Sequence, residues 1–170
     1  MIRPMAPELF PSVYQLMEQS FPKDEYRPFP AQKALLEEPG YRLWVMEEQG
    51  ELLGFCALWE LEQCLFLEHL AVAPGQRNRG LGARFLRELR EQYGMPLCLE
   101  VELPESDLAR RRIGFYERNG FVLNHYPYQM PALAPGQSPV PLLLMTSPYP
   151  LSPEEFPRVK EALYKIVYHQ

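Results

Sequence analysis

The chain has no apolar run approaching the roughly 20 residues that a membrane-spanning helix needs. Its start, MIRPMAPELF, lacks the apolar stretch of a secretory leader. Both absences point to a cytoplasmic protein with no membrane partner. Cysteine is scarce: Cys56, Cys64 and Cys98 are the only three, and no Cys-x-x-Cys pair occurs. Neither a disulfide framework nor a metal knuckle is indicated, no metal is expected, and each cysteine lies in an apolar run and reads as a core residue. Positive charge is also in deficit. Lys and Arg number 17 against 22 Asp and Glu, a net charge of −5, which argues against a nucleic-acid partner held through its phosphates. The balance suits a cationic or amine-bearing substrate.

Proline, by contrast, is abundant: 19 residues, clustered from Pro4 to Pro30 and again from Pro127 to Pro157. The nearly proline-free middle is where regular structure is expected. Leu9, Phe10, Val13, Leu16 and Met17 repeat at helical spacing after a short first strand at residues 1–5. A second short helix is expected over residues 31–38. Residues 41–73 read as three strands, with Gln49-Gly50 and Glu62-Gln63 at the turns. From Leu81 the period changes, and Leu81, Phe85, Leu86 and Leu89 form one apolar face of a helix closed by Gly94. PLCLEVEL is a strand, and a helix follows from a cap at Ser106 or Asp107 to Gly120. FVLNHYPY and VPLLLMTS form a last strand pair, and Ser152 caps a C-terminal helix. The order βααβββαβαββα predicts an α/β fold: a central mixed, mostly antiparallel sheet with helices on both faces and an extra C-terminal helix. A single domain over 1–170 is expected, with an N-terminal strand and helices at 1–40, a core at 41–126, and the final strand and helix at 127–170.

The segment VAPGQRNRGLGARFL, residues 72–86, joins a strand to a helix through Arg77, Asn78, Arg79, Gly80 and Gly82. Unpaired N–H groups at a helix start carry partial positive charge, and glycines let a ligand approach the backbone. Together with two arginines this describes a phosphate cradle. No Gly-Lys-Ser/Thr follows, so it is not a Walker loop, and the third glycine of a dinucleotide fingerprint is missing.

Arg77-x-x-Gly80-x-Gly82 after LEHLAVAP, followed one strand later by IGFYERNGF at 113–121, resembles the GNAT superfamily of acyl-CoA-dependent N-acyltransferases. The resemblance implies the GNAT fold, acetyl-CoA as co-substrate, and direct transfer of its acetyl group to a primary amine in a ternary complex. It implies that the backbone of Leu70 and Val72 pairs with the pantetheine arm. It places the pyrophosphate on Arg77, Asn78, Arg79, Gly80, Leu81, Gly82 and Ala83, and makes Tyr116 the proton donor to the leaving sulfur. For the base, Glu68 is the first choice, on a strand face shared with Phe66, Leu70 and Val72; Glu100 and Glu102 are rivals, and a mechanism with no side-chain base stays open. His69, on the opposite face, reads as structural. Glu25, Tyr26, Glu100, Glu102 and Tyr128 are candidates to line the acceptor pocket, and the acceptor is a small-molecule or peptide amine. Where many members have Asn and Ala before the Tyr, this chain has Arg110 and Arg112 within ARRRIGFY, so the usual Asn contact is in question. A non-catalytic acyl-CoA sensor on the same fold is the alternative. A monomer and a homodimer are both compatible with the sequence.

Overall fold

A computed structural model describes all residues 1–170. Its sheet begins with β1 (Arg3–Pro4) against β2 (Tyr41–Glu48), then β3 (Glu51–Glu60) and β4 (Leu65–Val72) in antiparallel succession. β5 (Leu97–Glu102) joins β4 in parallel, and β8 (Val140–Ser147) pairs antiparallel on the far side of β5. β6 (Val122–Leu123) and β7 (Tyr128–Met130) both pair with the outer edge of β8. The strand order is β1-β2-β3-β4-β5-β8-β6, and β4–β5 is the one parallel pair. The mixed, mostly antiparallel sheet read from the sequence is the sheet observed.

Local chemistry accounts for the helices. α1 (Phe10–Ser20) has Pro11 in its first turn and buries Phe10, Val13, Tyr14, Leu16 and Met17. α2 (Phe29–Ala34) passes into a tight 3-10 turn at Leu35–Glu37, two residues earlier than the helix expected at 31–38. α3 (Leu81–Tyr93) buries Leu81, Phe85, Leu86 and Leu89 and ends at Gly94, whose φ of 63° a side chain would resist. α4 (Asp107–Arg118) is capped by the Ser106 hydroxyl, which accepts from the Ala109 N–H at 3.1 Å. α5 (Glu155–Ala162) is preceded by a reciprocal cap: the Glu155 N–H donates to Ser152 Oγ, and the Ser152 N–H to the Glu155 carboxylate. It continues as a widened π-turn over Leu163–Val167. No helix is long and apolar enough to cross a membrane.

Helices cover both faces. α1 and α5 pack on one face with Tyr41, Phe55, Trp59, Phe66 and Leu144. α3 and α4 pack on the other with Cys56, Leu58, Leu67, Leu99 and Met145. All three cysteines are free and buried. The expected last strand pair is interrupted. Asn124 leaves the strand pattern, its amide donating to the Leu144 carbonyl and Thr146 hydroxyl, and its carbonyl accepting from the Leu151 N–H, so FVLNHYPY becomes two short strands.

Two irregularities open the sheet at its centre. β4 pairs with β5 only as far as Leu67 and Leu99; beyond them the strands separate. At the same place the β3–β4 register steps from Ala57–His69 to Leu58–Leu67, leaving Glu68 as the extra residue of a bulge. The bulge corrects the strand-face reading. Phe66 and Glu68 face the α1 side, where Glu68 meets Trp59, but Leu70 and Val72 pack with the opposite cluster. His69, expected opposite Glu68, also turns to the α1 side, against Phe21.

Candidate active site

The gap between β4 and β5 leads into two adjoining spaces. One is a cavity of about 510 Å³ between the sheet and the N-terminal segment, walled in part by Phe21, Glu25, Glu68, His69, Glu100 and Glu102. The other is a groove of about 530 Å³ along the start of α3, walled by Gln76, Arg77, Asn78, Gly80, Leu81 and Gly82 on one side and Arg111, Arg112, Phe115 and Tyr116 on the other. Leu70, Val72, Arg77, Arg112 and Tyr116 line both. Tyr116 therefore stands where they meet.

The groove has the features of an anion cradle. The first backbone bond of α3 runs from the Arg84 N–H to the Gly80 carbonyl, so the amides of Leu81, Gly82 and Ala83 lie ahead of any intrahelical acceptor. Gly80 and Asn78 adopt left-handed conformations, with φ of 73° and 65°, which fold the turn back over the helix mouth. Gly82 is required for a different reason: a Cβ there would lie 3.0 Å from Phe115 Cζ. The arginines divide. Arg77 reaches both spaces, whereas Arg79 turns away to Gln76 and Glu48, outside the groove lining. Ala83 is not among the lining residues either. Of the helix arginines, Arg110 bonds Asp107 and the Pro104 carbonyl, while Arg111 and Arg112 face the groove. Arg112 lies 3.6 Å from Glu102.

Beyond Leu67 the β5-facing edge of β4 has no strand partner. Its exposed amides and carbonyls, at Leu70 and Val72 among others, are the type of edge that a ligand's own amides can extend. Helix-mouth donors, a free strand edge and a basic rim together fit the diphosphate and amide arm of an acyl carrier.

The acidic residues of the cavity are not equivalent. Glu68 is the carboxylate half of a buried ion pair: Arg27 Nη1 donates to one oxygen at 2.8 Å and Trp59 Nε1 to the other at 2.8 Å. Burial pushes its carboxyl up, but the Arg27 charge, the His69 ring and these hydrogen bonds outweigh burial and hold it below the ordinary carboxylate value. A carboxylate so held is a poor proton acceptor, which counts against the base role expected of Glu68.

Glu100 behaves in the opposite way. Its Oε1 accepts from the Tyr168 hydroxyl at 2.7 Å and its Oε2 from the Tyr128 hydroxyl at 2.5 Å. Burial raises its carboxyl to about 7; the two phenols oppose that rise, and the charges of Glu68 and Glu25 add to it. Glu25 is likewise pushed up to about 7, by burial and then by Glu102, with Arg112 opposing. Tyr116 is raised to about 12, chiefly by burial, and stays protonated through the neutral range.

The expected acceptor residues are thus partly reunited. Glu25, Glu100 and Glu102 line the cavity. Tyr128 stands behind Glu100 rather than in the wall, and Tyr26 packs edge-on against Tyr14 and does not line the cavity. His69 is buried, and its Nε2 donates to the Glu25 carbonyl at 2.7 Å, a contact that ties β4 to the N-terminal segment. Two contributors escaped sequence reasoning. Arg27 sits among prolines with no periodic signal, and Tyr168 lies at the end of the C-terminal extension; nothing local marks either one.

A β4–β5 gap flanked by a helix-mouth cradle and a tyrosine defines an acyltransferase of the GNAT class. The chain belongs to that family: the model for the acetyltransferase (GNAT) domain matches residues 39–123. A solved structure from Bacteroides thetaiotaomicron, assigned to the GNAT family as an acetyltransferase, is similar over 100% of this chain and 99% of its own, with 30% identity and a TM-score of 0.90. An uncharacterised N-acetyltransferase of Bacillus subtilis, YhfO, is 30% identical over 112 residues, 59% of this chain and 74% of its own length. A peptidyl-lysine N-acetyltransferase of Escherichia coli, YiaC, is 35% identical over 78 residues, 46% of this chain and 48% of its own. The protein is a GNAT N-acetyltransferase, an enzyme of a family that uses acyl-CoA.

Proposed function

We propose that the enzyme transfers the acetyl group of acetyl-CoA directly to a cationic primary amine, with Glu100 as the base and Tyr116 as the donor to the departing sulfur. The observation that carries this reading is the continuity of the two spaces at Tyr116. An acyl group delivered along the groove and an amine lodged in the acidic cavity would meet between Tyr116 and Glu100.

Acetyl-CoA supplies the activated acyl group. The turn amides at Asn78, Gly80, Leu81 and Gly82, with the Arg77 side chain, hold its diphosphate, and the open β4 edge at Leu70 and Val72 aligns its arm and carbonyl. An amine arriving as ammonium must lose a proton before it can attack. Glu100, at about 7, is matched to accept that proton near neutrality, where Glu68 is not. Glu25 and Glu102 favour a positively charged acceptor, such as the side-chain amine named for the lysine-acetylating relative. A second proton leaves the nitrogen as its bond to carbon forms, and sulfur departs needing one. Full transfer from a phenol at about 12 to a thiolate with an ordinary value of about 8.5 is uphill. Tyr116 therefore serves by hydrogen-bonding the sulfur as it leaves, while the net proton comes from the amine.

The test is release of free CoA across a panel of amines: polyamines, amino sugars, lysine peptides and peptide α-amines, with anionic amino acids as the contrast. Turnover concentrated in the cationic members is expected. Turnover of the anionic ones at equal rate, or of none, overturns the reading.

A further inference from the structure

We propose that Tyr168, brought to the back of the acceptor cavity by the C-terminal extension, is a positioning residue that orients the Glu100 carboxylate and stabilises its ionised form. The proposal rests on Glu100 being the base.

The extension lies outside the stretch matched by the family model, which ends at residue 123. Its last turn is nevertheless tied to the site from two directions. The Val167 carbonyl accepts from Arg27 Nη2 at 3.0 Å, and the Tyr168 hydroxyl donates to Glu100 Oε1 at 2.7 Å. Both residues are buried, Val167 at 0% exposure and Tyr168 at 6%. The π-turn makes this possible. The Tyr168 N–H closes on the Leu163 carbonyl, five residues back, which sets Tyr168 on the inward face with Leu163; Leu163, Val167 and Tyr168 are all buried. Widened turns of this sort occur preferentially at functional places.

The contact has a definite chemical consequence. A phenol can donate to an ionised carboxylate on the oxygen facing it, and such a charge-assisted bond favours the ionised form. With Tyr128 on Oε2 and Tyr168 on Oε1, Glu100 has one fixed rotamer, and each oxygen keeps a lone pair for the cavity. The remaining groups that act on Glu100 are the carboxylates of Glu68 and Glu25. Tyr164, on the extension, and Cys98, on β5, lie close enough to feel its charge. Glu102 and Arg112 share its cavity. Of all these groups, only Tyr128 and Tyr168 hydrogen-bond it.

The experiment is a carbon-13 titration of the Glu100 side-chain carboxyl in the full chain and in Tyr168→Phe, which keeps the ring and removes the donor. Kinetic pH profiles of both proteins and of Glu100→Gln accompany it. The expected result is an upward displacement of the Glu100 midpoint by about one unit in Tyr168→Phe, matched by an equal displacement of the acid limb of kcat/KM. Activity would then fall about tenfold at pH 6 and stay near that of the parent at pH 9. An unmoved Glu100 midpoint overturns the proposal, as does a loss equal at every pH. If the midpoint moves but the limb survives in Glu100→Gln, the base assignment fails while the coupling of Tyr168 to Glu100 stands. Tyr128→Phe, which leaves the extension untouched, serves as the internal standard for the loss of one phenol bond.

Discussion

The Arg27 guanidinium meets the Glu68 carboxylate at 2.8 Å, with side chains 7% and 3% exposed, although 41 positions separate them in the chain. This pair buries the one acid of β4 as a tethered carboxylate held below its ordinary value, which counts against it as a proton acceptor. Arg27 also donates to the Val167 carbonyl, its own N–H donates to Gln32 Oε1, and its carbonyl accepts from the Tyr14 hydroxyl. One residue thus fastens α1, α2, β4 and the C-terminal turn around the acceptor cavity.

Removing one partner of this pair is expected to cost far more than removing both. Arg27→Met strands a buried carboxylate and should destabilise the fold by about 3–5 kcal/mol in urea unfolding. Arg27→Met combined with Glu68→Leu should recover much of that loss. The pH dependence has a definite sign. The Glu68 carboxyl lies below its ordinary value in the folded state, so unfolding takes up a proton. Its contribution is complete above the unfolded value of about 4.3 and is lost as the pH falls through the lower folded value. Unfolding midpoints measured from pH 7 to pH 2 should show a loss at the acid end that is shallower in the double variant, where only carboxylates such as Glu88 still contribute.

Replacement of Glu100 by Gln is expected to lower kcat/KM at pH 7.5 by about 100-fold. In the parent enzyme activity should rise with pH through about 7, because the base acts only when ionised. A Gln variant has no such group, and a pH profile that keeps the same acid limb would show that another residue is the base.

Tyr116→Phe separates chemistry from binding. The ring stays in place between Phe115 and Phe121, against which it packs edge-on, so acetyl-CoA affinity measured by calorimetry should hold within about twofold. Turnover should drop by about 100-fold. Unchanged turnover would remove the phenol from the reaction.

The two glycines of the cradle should respond differently. Gly80→Val forces a branched side chain into a left-handed conformation and should cost about 1–2 kcal/mol of stability. In Gly82→Val the new Cβ would lie 3.0 Å from the Phe115 ring, which must give by a few tenths of an ångström, and the added methyls stand at the groove that Gly82 lines. The expected outcome is about a tenfold weaker acetyl-CoA affinity, with kcat at saturation little altered. Calorimetry against thermal unfolding distinguishes strain from obstruction.

Much of the fold was legible in the chain because its signals are local. A repeat at helical spacing with Gly94 at its end, the Ser106 cap and the Gln49-Gly50 turn are each a few residues long, and each appears where the sequence put it. The cradle was legible for the same reason: it is a backbone device within a single turn.

The acids are another matter. The sequence offered Glu68, Glu100 and Glu102 on neighbouring strands and put Glu68 first, on a strand face that alternation misassigned. A bulge of one residue, an arginine from among the N-terminal prolines and two tyrosines from the chain's last third separate a tethered carboxylate from a titratable one. The amino-acid order by itself determined most of the elements, the class of enzyme and the helix-mouth turn that lines the groove, since those depend on spacing within short segments. Which carboxylate is free to take a proton was decided only by tertiary structure, because a carboxyl's affinity for a proton is set by the charges, donors and burial around it, and these come from distant parts of the chain.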